Sequence, residues 1–416
     1  MKSETDSTRS PLTLGWEFFK IGCVAFGGFM AVISVIEDVF VRKLGWIKQE
    51  EMLDGVSLAN VLPGPQAVNT VTYVGYTCGG RKGALASFVG ILTPTYILVT
   101  GLTFLYFEYA QGVPSIESFF TGLVLAVVAV IFNVVWRMQG KCLQGPLTWG
   151  LALMAAASVL TIPTDWKLRA TLGVLALAAL LGSRVFRTTP DPVPAVAGDK
   201  GGSVLPLVAL PLLLSGLYLL DLPIPKDGLI HVAITFAGLS VLLFGGGYVF
   251  IPMIMHVVVE QEGWLTLGQF NDGIAMSQVT PGPIVISAAF IGQKVLMEQG
   301  ALWGIVGGLV ATLAIFGPPA LLMVAASQML ERVKGSGRVQ GALKGARAAI
   351  VGMIAAAGVT ILLSEVGGGD PVGGVDPMRA AQSFGILILS LLALVRFKLP
   401  VVMVIPAAGG LGLLLL

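Results

Sequence analysis

Pro63-Gly64-Pro65 and Pro281-Gly282-Pro283 each interrupt apolar sequence, and a helix that meets either of them must kink or break there. The two interruptions belong to a longer repeat. Without a gap, residues 26–65 align with 244–283 at an offset of 218, with identity at 15 of 40 positions. Phe26-Gly27-Gly28 falls on Phe244-Gly245-Gly246, Gly45-Trp46 on Gly263-Trp264, and Asp54-Gly55 on Asp272-Gly273. Shared apolar composition does not produce identities in Gly, Pro, Trp and Asp. The chain therefore consists of two related halves, and paired broken segments in corresponding places point to a membrane transporter's substrate site.

The sequence around the breaks is lipid-like. With 55% hydrophobic and 12% charged residues among 416, the chain has more apolar surface than one soluble core could enclose, and it reads as a polytopic membrane protein. Apolar runs at 84–107, 118–136, 146–163, 204–220, 304–328, 342–363 and 380–395 approach the length that spans a bilayer as helix. The fold class expected is all-α, since the alternation of barrel strands is absent. Cys23, Cys78 and Cys142 have no CxxC spacing, so neither a disulfide framework nor a metal site is expected. No P-loop, HExxH or GxSxG occurs, which leaves an enzyme mechanism, a cofactor or a nucleic-acid partner without support.

Residues 1–11 read as a polar tail, 12–186 as the first half, 187–203 as a Pro- and Gly-rich linker and 204–416 as the second half. Basic residues near membrane ends set orientation. The first half places Arg42, Lys43, Lys48, Arg81, Lys82, Arg137 and Lys141 in its loops, whereas the second has Glu260 and Glu262 where the first has its leading basic loop. An inverted arrangement of the halves follows. If Arg42 and Arg81 face the same side, residues 53–80 enter and leave there as a re-entrant hairpin tipped by Pro-Gly-Pro; one kinked spanning helix is the alternative. Residues 12–40 and 229–258, with Phe-Gly-Gly near their midpoints, are candidates for the same kind of break.

A chain that restarts as helix after proline presents backbone N–H groups and a positive dipole end, which is an anion site needing no lysine. Pro63, Gly64, Pro65, Pro281, Gly282 and Pro283 are therefore candidate substrate-site residues, with Asn60, Asn69, Thr70, Gln278 and Ser287 as side chains placed to join them. The same polar groups can instead satisfy backbone carbonyls of a broken helix. Gly27, Gly28, Gly245 and Gly246 either let helices pack closely or let substrate approach. Arg347, about one turn deeper than Lys344 in the run 342–363, either reaches the interface or holds the anion. Glu37, Asp38 and His256 are candidates for a coupling proton, and Asp54 and Asp272 are expected to cap or anchor.

At Phe244-Gly245-Gly246-Gly247-Tyr248 with Pro252, at Gly45-Trp46 and Gly263-Trp264, at Leu62-Pro63-Gly64-Pro65 with Ala67-Val68-Asn69-Thr70, and at Gln278 with Pro281-Gly282-Pro283, the chain resembles the chromate ion transporter family. The resemblance covers both halves and implies a long-chain, two-domain member in a prokaryotic cytoplasmic membrane. It implies chromate export and resistance, with sulfate as the like-shaped dianion. The first copy departs from the family pattern: Phe29, Met30 and Ser34 stand where the second keeps Gly247, Tyr248 and Pro252, and Asn60 stands where Gln is usual. Unequal contributions from the halves are expected. Small-residue faces allow a homodimer without requiring one.

Overall fold

The sequence repeat recurs at the level of helix ends and single hydrogen bonds. In the computed structural model, which describes residues 10–25, 29–110, 113–162, 164–186, 205–220, 225–242, 250–328, 337–366 and 377–416, the regular structure is helical and contains no strand among the described residues. The first half holds α1 (Pro11–Val24), α2 (Phe29–Ile36), α3 (Gln49–Val61), α4 (Gln66–Leu105), α5 (Pro114–Cys142), α6 (Pro146–Thr161) and α7 (Thr164–Val185). The second holds α8 (Leu205–Leu219), α9 (Leu229–Leu242), α10 (Phe250–Met255), α11 (Leu267–Val279), α12 (Ser287–Met297), α13 (Ala301–Ser327), α14 (Gly337–Val366), α15 (Pro377–Val395) and α16 (Val401–Leu415). Both ends of α1 and α9, and of α3 and α11, are 218 apart. A wide π turn closes each α2-like segment: Leu44 N–H donates to Val39 C=O at 2.9 Å, and Glu262 N–H to Val257 C=O at 2.8 Å.

Pro-Gly-Pro reverses the chain in both halves. A Cβ on Gly55 would collide with the ring of Tyr73, and one on Gly273 with the ring of Phe290, so the two arms of each hairpin lie side by side in a register centred on Gly64 or Gly282. That register excludes the single kinked helix. Gly64 and Gly282 turn at φ 98° and 113°, where side-chain-bearing residues are strained. A second reversal follows within α4 at Gly79-Gly80, which brings Gly83 and Ser87 against Gly75; the counterpart is the turn between α12 and α13, which brings Gly307 against Gly292.

Among the described residues, five helical stretches are long and apolar enough to cross a membrane: Gln66–Tyr109, Pro114–Cys142, Ala301–Ser327, Gly341–Val366 and Pro377–Val395. Because Gln66–Tyr109 folds back at Gly79-Gly80, its crossing part is the portion after that turn. The apolar runs 146–163 and 204–220 become α6 and α8, of 16 and 15 residues, both shorter than a perpendicular span of about 20. Helices α7 and α16 were not anticipated from apolar runs. The halves interlock through small residues: a Cβ on Gly352 or Gly345 of α14 would meet the backbone of Ala152 in α6 or Ala178 in α7, and one on Gly122 of α5 would meet Ala408 of α16. The linker expected at 187–203 lies outside the described residues.

Candidate functional site: the two hairpin tips

Each Pro-Gly-Pro tip is seated on the long helix of the opposite half. At the second tip, Thr95 Oγ1 donates to Pro281 C=O at 2.6 Å, and Gly282 N–H donates to Ala25 C=O at 3.0 Å. A Cβ on Gly282 would run into Thr95, and one on Gly64 into the ring of Pro319. Past the second reversal the repeat offset grows, so that Gly83 and Gly307, like Pro94 and Pro318, are 224 apart. Thr95 and Pro319 are thus equivalent positions, and the seating is reciprocal. The helices bearing these seats, α4 and α13, touch directly, with Tyr96 Oη donating to Ile305 C=O at 2.7 Å.

The tips differ in what their polar groups do. At the first, Asn69 Nδ2 donates to Pro63 C=O at 3.0 Å and Thr70 Oγ1 donates to Gln66 C=O at 2.9 Å, so both bond the broken helix itself. Asn69 Oδ1 has no partner. At the second, Gln278 is 8% exposed and Ser287 1% exposed, yet Gln278 Nε2 and Ser287 Oγ have no partner at all. No side chain caps the helical turn after Pro65 or after Pro283. After Pro283 the chain runs through one 3₁₀ turn, Ile284–Ile286, before α12 begins at Ser287, whereas α4 starts at once at Gln66. The Gly282 amide, which precedes the break, is taken up by Ala25 C=O.

The remaining candidates are distributed elsewhere. Asn60 is the penultimate residue of α3, and its side chain lies outside the described residues, as do Gly27, Gly28, Gly245 and Gly246. Ala25 leaves helical geometry at φ −82°, ψ 77° at the end of α1; whether the chain breaks at Phe26-Gly27-Gly28 and Phe244-Gly245-Gly246 lies outside the described residues. Lys344 Nζ stands 5.1 Å from the ring centre of Phe186, and Arg347 lies near Cys142 at the C-terminal end of α5. In the first π turn Glu37 pairs with Arg42 at 3.2 Å and Asp38 with Lys43 at 2.7 Å; in the second, His256 pairs with Glu260 at 2.8 Å. His256 is buried, and its Nε2 has no partner. Asp272 does not cap α11, whose N-terminus Thr266 caps; its carboxyl accepts from Tyr106 Oη at 2.5 Å. Thr95, Tyr106 and Glu365 were missed in the sequence, where only the rule that ionisable groups in apolar helices are functional candidates would have marked Glu365.

The family model described as Chromate transporter matches residues 12–183 and 230–413. A chromate transport protein of Pseudomonas aeruginosa is 29% identical over 404 residues, covering 95% of this chain and 90% of that protein. A chromate transport protein of Cupriavidus metallidurans is 28% identical over 351 residues, 84% of this chain and 81% of that one. An uncharacterized transporter of Bacillus subtilis, YwrA, is 29% identical over 169 residues, which is 41% of this chain but 93% of YwrA. No solved structure matches the chain.

Proposed function

We propose, since this chain belongs to the chromate transporter family, that it is a secondary transporter carrying chromate out of the cytoplasm across the cytoplasmic membrane, with the anion held at the hairpin tips. The observation carrying this reading is at the second tip, where Gln278 Nε2 and Ser287 Oγ are buried without a partner beside an uncapped helical start. A buried donor left unmatched costs about 1–3 kcal/mol. A tetrahedral dianion recovers that cost by accepting from both donors and from the amides of Ile284 and Val285, which point along the dipole. Neutral donors also hold such an anion less permanently than a lysine would.

Release in this scheme follows from a rocking of the halves that draws the second tip away from Thr95. The basic Arg42, Lys43 and Lys48 of the first half have Glu260, Gln261 and Thr266 at the matching positions of the second, and this reversal of the Lys/Arg bias supports an inverted arrangement of the halves. The test is radiolabelled chromate flux in proteoliposomes carrying Gln278→Ala or Pro283→Ala. Loss of flux in both is expected, and unchanged flux in both removes the tips from the mechanism. Imposing the chromate gradient in each direction separates export from uptake.

A further inference from the structure

Near the end of α11 remote from the tip, a second group of polar side chains gathers that the anion site does not use. Tyr106 Oη, just past the end of α4, gives its hydrogen to Asp272 Oδ2 at 2.5 Å. The neighbouring Asn271 donates through Nδ2 to Glu365 Oε1 at 2.8 Å and reaches Ser364 Oγ at 3.2 Å. Ser364 spends its own hydrogen on Ile361 C=O at 2.8 Å. Both hydroxyl hydrogens are therefore committed. Yet Asn271, only 2% exposed, keeps an Oδ1 with no partner. The group is one hydrogen short, and its two carboxyl groups, both only partly buried, are the places where one can arrive from water.

The surroundings favour a proton over a larger ion. Phe107, Phe120 and Phe290 pack around Tyr106 with ring centres 4.9, 5.3 and 5.8 Å away. Among the described residues no set of three or more His, Cys, Asp and Glu gathers as a metal site. The charged groups acting on the two carboxyls from outside are Glu117 of α5 and, at Glu365, Arg379 of α15; Glu108 of the turn after α4 is exposed, and Lys294 of α12 lies over Phe107 and pairs with Glu298. Helices α10 and α16 and the turn Ile284–Ile286 bring no ionisable side chain.

We propose that Asp272 and Glu365, positioned by Tyr106 and Asn271, form the proton-binding site that couples proton movement to anion movement. This rests on the transport reading above. A proton from water on one side forms an O–H bond at one carboxylate, the new hydroxyl satisfies the Asn271 amide, and the same bond breaks to release the proton to water on the other side. The cluster joins α4 of the first half to α11 and α14 of the second. Its protonation therefore acts on the joint that must slide when the second tip leaves Thr95.

The test uses the full chain in proteoliposomes, comparing chromate accumulation driven by a pH gradient with chromate counterflow at equal pH. For Asp272→Asn and Glu365→Gln the ratio of driven flux to counterflow is expected to fall about tenfold or more, the scale of a lost coupling energy. An unchanged ratio in both overturns the proposal, as does a wild-type flux driven by a sodium gradient and indifferent to pH. Should either variant fail to fold, Tyr106→Phe keeps the packed ring and removes one hydrogen bond to the carboxylate. The pH at half-maximal driven flux is then expected to rise by about half a unit or more, and no movement overturns the proposal. A wild-type protein that moves chromate in neither mode instead refutes the transport reading itself.

Discussion

Thr95 Oγ1 holds the carbonyl of Pro281 at 2.6 Å, a hydrogen bond that fastens the breakpoint of one half to the long helix of the other. Both partners are buried. Thr95→Val keeps the shape and strands that carbonyl, at a cost of about 1–3 kcal/mol. A lower melting temperature in detergent is expected, together with altered chromate flux. A melting temperature within error of wild type would show that the bond contributes nothing.

The tip glycines test the seating more severely. Gly64→Ala and Gly282→Ala each add a Cβ that collides with Pro319 or Thr95, at a backbone angle costing about 1–2 kcal/mol by itself. Overpacking adds about 1–3 kcal/mol. Loss of folded protein or of flux is expected for both. Gly317→Ala on α13, with nothing within 4 Å of the added atom, serves as the control and is expected to be neutral or stabilising by up to about 1 kcal/mol.

Anion affinity separates the two tips. Gln278→Ala removes a donor with no other partner, and a hydrogen bond to a charged group is worth about 1.5–3 kcal/mol, so chromate binding is expected to weaken about tenfold or more. Thr70→Val removes a hydroxyl already bonded to Gln66 and is expected to change affinity less than about threefold. Equal losses in titration calorimetry would contradict this division.

Asp38 provides a pH test. A hydrogen bond from Lys43, and then the nearby charges of Lys43 and Arg42, hold its carboxyl below the ordinary carboxylate range despite an opposing desolvation effect. A depressed carboxyl contributes its stabilisation above its unfolded value of about 4 and loses it only as pH falls through the lower folded value. It therefore stays charged at neutral pH and does not exchange a proton there. Asp38→Asn is expected to leave the pH profile of flux unchanged between about pH 6 and 8; a displaced profile would return Asp38 to the coupling pathway.

The hairpins were legible in the sequence because Pro and Gly act on the backbone locally. Pro63, Gly64 and Pro65 stop one helix and turn the chain whatever surrounds them. Their seats were not legible, since Thr95 and Pro319 carry no motif and the offset of 218 becomes 224 before reaching them. Polar groups were harder still: nothing near Asp272 in sequence announces Tyr106, and nothing near Asn271 announces Glu365. Helix α7 was hidden by Asp165, Lys167 and Arg169 in its opening turns, and α16 by its length of 15 residues.

The docking of Gly64 against Pro319 has a consequence for biogenesis. While the ribosome is still making the second half, the arms of the first hairpin can already pack on helices of their own half, but the seat that Pro319 offers its tip does not exist until α13 has been made. The nascent first half is thus an incomplete folding unit, and late synthesis of its partner, more than any local event, decides when its tip becomes ordered.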